Sequence, residues 1–136
     1  MGATGGLGHL ALQIGSRGIG LRMIAIDYGD KKAFAEECGA NTYIDVSQFG
    51  PDEESQLAAA IKQTTPDGLG AAAVIVYISG NDAYAAAVRY MRFGGTVVCV
   101  GVPEGRPVPI ATADPATLIS QELRIVGSCR GGWCWI

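Results

Sequence analysis

The chain has 136 residues, which suits one compact domain, and its formal net charge of −3, with no run of Lys or Arg, argues against a nucleic-acid binder. It is 49% apolar and only 17% charged, the reverse of a disordered composition. No stretch approaches the roughly 20 apolar residues of a transmembrane helix, and no basic region followed by an apolar one marks a signal peptide. The four cysteines, Cys38, Cys99, Cys129 and Cys134, contain no C-x-x-C pair and are too few for a secreted disulfide scaffold. A reducing cytoplasmic setting is the expectation.

In chain order, Leu7, Leu10, Ala11 and Ile14 fall at helical spacing and predict one apolar helix face. Leu21 to Ile26 then reads as a strand buried on both sides. Asp30 is positioned to cap a helix whose inner face includes Phe34, Ala35 and Cys38, and Gly39 ends it. Thr42 to Val46 is a second short strand. Pro51-Asp52 opens a helix with Leu57, Ala58 and Ile61 inward, and Asp67-Gly68 marks a turn. Ala72 to Ile78 is a third strand. Asn81 or Asp82 caps a helix in which Tyr84, Ala87, Val88 and Met91 share a face, broken by Gly94-Gly95. Thr96 to Val100 is the next strand. Asp114-Pro115 is an N-cap and first-turn pair for a helix to about Gln121, and Leu123 to Gly127 is the last strand. This alternation predicts an α/β fold with a parallel sheet covered on both faces.

The chemistry gathers at the beginning. Gly2-Ala3-Thr4-Gly5-Gly6-Leu7-Gly8 is a glycine-rich loop opening a helix, with Ala3 where a strict G-x-G-x-x-G pattern has its first glycine. A helix N-terminus offers free N–H groups and the positive end of its dipole to a pyrophosphate. A residue without a side chain at Gly5 admits the phosphate, and Gly8 lets the helix pack closely on the sheet. A flexible turn is the rival reading of such a loop alone. Asp27, however, ends the first strand 19 residues after Gly8, where the dinucleotide fingerprint has an acid that accepts from the adenosine ribose hydroxyls. Its charge opposes a 2′-phosphate and no Arg stands beside it, so NAD is favoured over NADP. Asp27 as a mere helix cap is the competing reading.

The stretches G-A-T-G-G-L-G, I-D-Y-G-D-K-K and G-A-N-T-Y-I-D-V resemble the coenzyme domain of zinc-dependent alcohol dehydrogenases of the medium-chain dehydrogenase/reductase family, the yeast-type fungal branch above all. Further similar segments are Ala86 to Gly101, Val102 to Gly105 and Ile125 to Ser128, so the resemblance runs from Gly2 to about Gly131. It implies a Rossmann-type doubly wound parallel sheet that lacks its first, central strand, an incomplete NAD-binding unit over residues 1–130 and an unrelated tail at 131–136. It implies that Gly2, Gly5, Gly6, Leu7 and Gly8 form the pyrophosphate loop and that Asp27 and Lys32 reach the adenosine ribose. Lys32 as an ordinary surface lysine is the alternative. Ser79 and Gly80 would border the adenine side, Val100 and Val102 the nicotinamide end, and Ser128 a further cofactor contact.

In the complete family enzyme a catalytic zinc acts as a Lewis acid. Cys129 and Cys134 have no matching pair and His9 is far away, so no zinc ligands are expected in this chain. The resemblance therefore implies a dinucleotide-binding portion that does not oxidise an alcohol alone, with possible self-association through the strand edge Leu123 to Gly127. Without a central strand two sheet edges lose their partners, and marginal stability, closure of the gap by another strand or self-association is expected. Three other readings stand beside it. One is a non-catalytic binding or assembly module. Another is a zinc-independent quinone reductase, against which Asp27 speaks. The last is an S-adenosylmethionine-binding domain, which the G-G-T-V-V-C-V-G-V-P segment fits poorly.

Overall fold

The computed structural model describes residues 1–106 and 108–128. Helix α1 (Gly8–Gln13) runs on into a π-helical turn, Ile14–Ile19, and is followed by β1 (Ile24–Asp27), α2 (Lys32–Glu37) and β2 (Thr42–Asp45). A short 3-10 turn, Val46–Gln48, leads to α3 (Glu54–Gln63), β3 (Ala71–Val76), α4 (Asn81–Arg89), β4 (Met91–Cys99), α5 (Pro115–Gln121) and β5 (Arg124–Gly127). Every strand pairing is parallel, as helical crossovers require. Pairing gives two sheets, β1-β2 and β3-β4-β5. The architecture is the expected Rossmann-type α/β arrangement, its sheet divided between β1 and β3.

The division has a definite geometry. In a parallel strand, alternate residues turn both backbone polar groups to the same neighbour. Ile26 on β1 and Ile75 on β3 turn theirs into the gap, where Met1 and Gly2 meet them. The Met1 amino group donates to the Ile75 carbonyl at 2.7 Å, Tyr77 N–H donates to the Met1 carbonyl at 3.1 Å, and Gly2 N–H donates to the Ile26 carbonyl at 3.0 Å. One piece of backbone bonded to both edges holds them about two strand spacings apart, roughly 9.6 Å. Beside it lies an apolar cavity of about 480 Å³ lined by β1, β3 and the inner face of α1. Among the described residues no further strand closes the gap.

Two apolar clusters cover the sheets. The larger joins Ile26 to Leu57, Ala58 and Ile61 of α3, Val74 and Val76 of β3, and Tyr84, Ala87 and Val88 of α4. The smaller joins Ala25 to Ala3, Leu12, Ala35, Cys38 and Ala40. Neighbours on β1 thus feed opposite faces, which explains the near-continuous apolar run around Ile24. The expected inward face of α3 is the buried one, and Asp114 caps α5 by accepting from Ala116 and Thr117 N–H.

Four local expectations need correction. The apolar face of α1 points outward: Leu7, Leu10 and Ile14 are exposed, whereas Gly8, Leu12 and Gly15 are buried. The helix lies so close to the backbone of Gly2 and Ala3 that only glycine fits at Gly8, while a Cβ on Gly15 would stand 2.6 Å from Met23 Sδ, which would have to move. Phe34 is likewise outward, while Ala35 and Cys38 face the core. Neither Asp30 nor Asn81 caps its helix by side chain; Lys31 and Gly80 hold the N-cap positions. Met91 begins β4 rather than ending α4, and Gly94-Gly95 lies within that strand. The reason is a break in register: Met91 pairs with Ala71 but Thr96 with Ala73, and the extra residues turn through Gly94 at φ +72.

Gly8 offers a direct test of the close packing. A Cβ there would lie 2.1 Å from the Gly2 carbonyl oxygen and 2.7 Å from backbone atoms of Ala3, none able to rotate aside. Gly8→Ala should destabilise by about 1–3 kcal/mol and lower the Tm by roughly 4 °C or more. Gly6→Ala, with nothing within 4 Å of its Cβ, should leave the melt nearly unchanged; equal melts for the two variants would contradict the packing.

Candidate functional site

The loop that leads into α1 owes its shape to its glycines. Gly2 has φ +73, and a Cβ there would meet Ile78 Cγ2 at 2.6 Å. Gly5 N–H donates to the Gly2 carbonyl at 3.3 Å, and His9 N–H to the Gly5 carbonyl at 3.1 Å, with His9 Nδ1 2.9 Å from that same oxygen. Among the described residues, the N–H groups of Gly6, Leu7 and Gly8 have no backbone partner, as the first turn of a helix dictates. Gly6, Leu7 and Gly8 line a cavity of about 590 Å³ together with the rest of the loop, Asp27, Lys31, Tyr77, Ile78, Val100 and Gly101.

Asp27 stands where β1 ends, with its side chain only 12% exposed. One carboxylate oxygen, Oδ2, accepts from Thr4 N–H at 2.8 Å and from the Thr4 hydroxyl at 2.5 Å. The other, Oδ1, accepts from Tyr28 N–H at 2.8 Å and lies 3.5 Å from Lys31 Nζ. Burial pushes this carboxyl up, but the Thr4 and Tyr28 donors and then the Lys31 charge together outweigh it, leaving the group below its ordinary range. The turn that follows is fixed from β2. Asp45, paired with Asp27 in register, accepts from Gly29 N–H at 2.8 Å, and the Tyr43 hydroxyl donates to the Gly29 carbonyl at 2.6 Å.

A second cavity, about 830 Å³, opens on the other side of Asp27. Its walls are largely apolar: Ile26, Val46, Phe49, Pro51, Leu57, Ile78, Ala83 and Ala86, with Gly80, Asp82 and Tyr90. Asp27, Gly2 and Ile78 line both spaces, so the carboxylate divides a polar compartment under a helix N-terminus from an apolar one.

The structure brings Gly2, Gly5, Gly6, Leu7, Gly8, Asp27 and Val100 around the first cavity. Lys32 is turned away and pairs with Glu36 at 3.8 Å. Ser79 is exposed beyond the end of β3, while its neighbour Gly80 lines the apolar cavity. Val102 is exposed beyond Gly101, and Ser128 extends the β4–β5 pairing by donating to the Cys99 carbonyl at 2.8 Å. None of Lys32, Ser79, Val102 and Ser128 lines either cavity. Sequence reasoning passed over Thr4 and Lys31. A hydroxyl inside the glycine loop and a lysine four residues after the acid that ends β1 were the available signals.

Among the described residues no three His, Cys, Asp or Glu side chains gather to hold a metal ion. Cys129, Cys134, Arg130 and the tail at 131–136 lie outside the described residues. No helix of the described residues is long and apolar enough to cross a membrane.

A Rossmann-type sheet with a glycine loop opening a helix and an acid at the end of the strand that follows it defines a nucleotide-binding class. Residues 6–135 match the family described as zinc-binding dehydrogenase, and the chain belongs to that family, as a coenzyme-binding domain. It is 43% identical over 131 residues to alcohol dehydrogenase 2 of Emericella nidulans, a match spanning 96% of this chain and 36% of that protein. It is 34% identical over 131 residues to the alcohol dehydrogenase of Schizosaccharomyces pombe, covering 96% and 34%. The chain thus spans about a third of the length of the curated relatives it matches. Among solved structures it resembles an NAD-dependent alcohol dehydrogenase (TM-score 0.71, 25% identity, 91% of this chain and 33% of that one). It also resembles a Sinorhizobium meliloti protein bound to NADP (TM-score 0.72, 30% identity, 91% and 34%).

The hydrogen bonds on Asp27 carry a pH signature. Its folded value lies below the unfolded one of about 3.9, so its contribution to stability is present above that pH and is lost as pH falls through the folded value. Urea melts from about pH 6 to about pH 3 should show this acid-side loss, and Asp27→Asn should make the curve flatter. A curve of the same steepness in the variant would mean that the Thr4 and Tyr28 contacts do not favour the ionised form.

Proposed function

We propose that this chain binds NAD(H) as the coenzyme portion of an alcohol dehydrogenase-like oxidoreductase, in which hydride passes between an alcohol or carbonyl and the nicotinamide. The observation that carries the reading is the position of Asp27, ionised and held between a cavity rimmed by free loop N–H groups and an apolar one. The residues fit the group. Gly6 has open space where a Cβ would stand, so a pyrophosphate can approach the N–H groups of Gly6, Leu7 and Gly8. Asp27 accepts from the adenosine ribose, and the adenine lies against Val46, Phe49 and Ile78. Val100 and Gly101 border the far end of the polar cavity, toward the nicotinamide. Bound NAD would supply the hydride acceptor; the protein residues here bind and orient it.

Preference for NAD rests on the charge of Asp27, which opposes a 2′-phosphate. Lys31 stands within 3.5 Å of that carboxylate and is already drawn to it, so little positive charge is left for a second phosphate. The zinc implied by the family finds no cluster of ligands among the described residues. β5 lies at the edge of its sheet with Val126 exposed, which supports association of copies along that strand.

The test is a thermal melt with NAD, NADP or S-adenosylmethionine. A ligand at 100 times its Kd stabilises by about 2.7 kcal/mol, so NAD should raise the midpoint by several degrees, and more than NADP does. Asp27→Ala should remove the NAD shift. An equal shift with NADP would refute the preference, no shift with NAD would refute the binding, and a shift with S-adenosylmethionine alone would point to a methyltransferase.

A further inference from the structure

Thr4 lies in the coenzyme loop and lines the polar cavity, but its N–H and hydroxyl both donate to Asp27. Oδ2 of that carboxylate takes both the Thr4 N–H and the Thr4 hydroxyl, at 2.8 and 2.5 Å. A carboxylate oxygen has about two lone-pair sites, so Oδ2 is fully used by one residue of the loop. Oδ1 has one short bond, from Tyr28 N–H, and one long contact with Lys31. Lys31 is about half exposed, at 48%, and its long contact is the one that an arriving hydroxyl would displace.

We propose that Thr4 determines coenzyme specificity by fixing Asp27: its hydroxyl pins Oδ2, leaving Oδ1 as the one oxygen presented to ribose and denying the carboxylate room to turn away from a 2′-phosphate. The proposal rests on the reading of Asp27 as the ribose acceptor. Three features support it. The clamp joins the loop that receives the pyrophosphate to the residue that receives the ribose, so two parts of one ligand meet a single pre-set unit. The side chain of Asp27 is largely buried, where a hydrogen bond to an ionised group is stronger than in water. Finally, the contact that yields, Lys31, is the one held by a long side chain rather than by backbone. Without the hydroxyl, the carboxylate keeps the Thr4 N–H but gains freedom to rotate, which weakens its hold on ribose and relieves its repulsion of a 2′-phosphate.

Calorimetric titration of NAD and NADP into the unaltered protein, Thr4→Val, Thr4→Ser and Asp27→Ala tests this. Thr4→Val should weaken NAD by about tenfold, the loss of one hydrogen bond to a charged group, while NADP changes by less than about threefold. The NAD-to-NADP affinity ratio therefore falls. Thr4→Ser should restore the ratio, since it returns the hydroxyl. Thr4→Ala, a second variant without the hydroxyl, carries the same expectation where valine does not fold. A Thr4 that only shapes the loop would weaken both coenzymes in proportion. An unmoved ratio in Thr4→Val and Thr4→Ala, or a serine variant that behaves like valine, overturns the proposal while NAD binding lost in Asp27→Ala keeps the site. No NAD binding by the unaltered protein overturns the site and the proposal together.

Discussion

The backbone of Met1 and Gly2 touches both halves of the sheet, and most of what is distinctive here depends on that contact. It bonds to Ile26 on one side and to Ile75 and Tyr77 on the other, and Gly8 closes onto the same stretch with no room for a side chain. Helix α1 is thereby drawn against the sheets at its first turn. Its free N–H groups come to stand beside the C-terminal end of β1, where Asp27 lies. A loop that wandered by an ångström or two would separate donors from acid, and neither cavity would keep its present walls.

The energetic weight of the fold is unevenly spread. The larger cluster, built from α3, α4, β3 and β4, holds the bulky side chains Ile61, Tyr90, Met91, Val76 and Val97 almost fully buried. The smaller one, under α1 and α2, is made mostly of alanines, with Leu12 and Cys38, and so removes less apolar surface from water. The half that carries the glycine loop and Asp27 is therefore the more lightly packed. Polar contacts compensate: Asp45 and Tyr43 secure the turn after β1, and Thr4 ties the loop to the strand end. Arranged this way, the charged centre of the site doubles as structure.

Much of the site was legible from residue order. The helical period found α3 with its correct face, since Leu57, Ala58 and Ile61 are large or central enough to mark it. The same period misjudged α1, because a helix that packs through Gly8 and Gly15 hides its inner face from any count of apolar residues. Gly94-Gly95 read as a helix stop for a similar reason: glycine signals a departure from regular backbone without saying which element departs. Lys31 and Lys32 are indistinguishable in sequence, and a single residue of helical rotation sends one toward Asp27 and the other toward Glu36.

The sequence by itself determined the alternation of helices and strands, the parallel pairing, the loop and the acid 19 residues beyond it, because these follow from local propensity and short spacing. Only the tertiary structure decided that β1 and β3 stand apart with Met1 and Gly2 bonded to both. It alone showed that the apolar stripe of α1 faces outward and that the hydroxyl of Thr4 lands on Asp27, a residue 23 positions away. Those outcomes depend on how closely backbones approach across the fold, a distance that no pattern of neighbouring residues encodes.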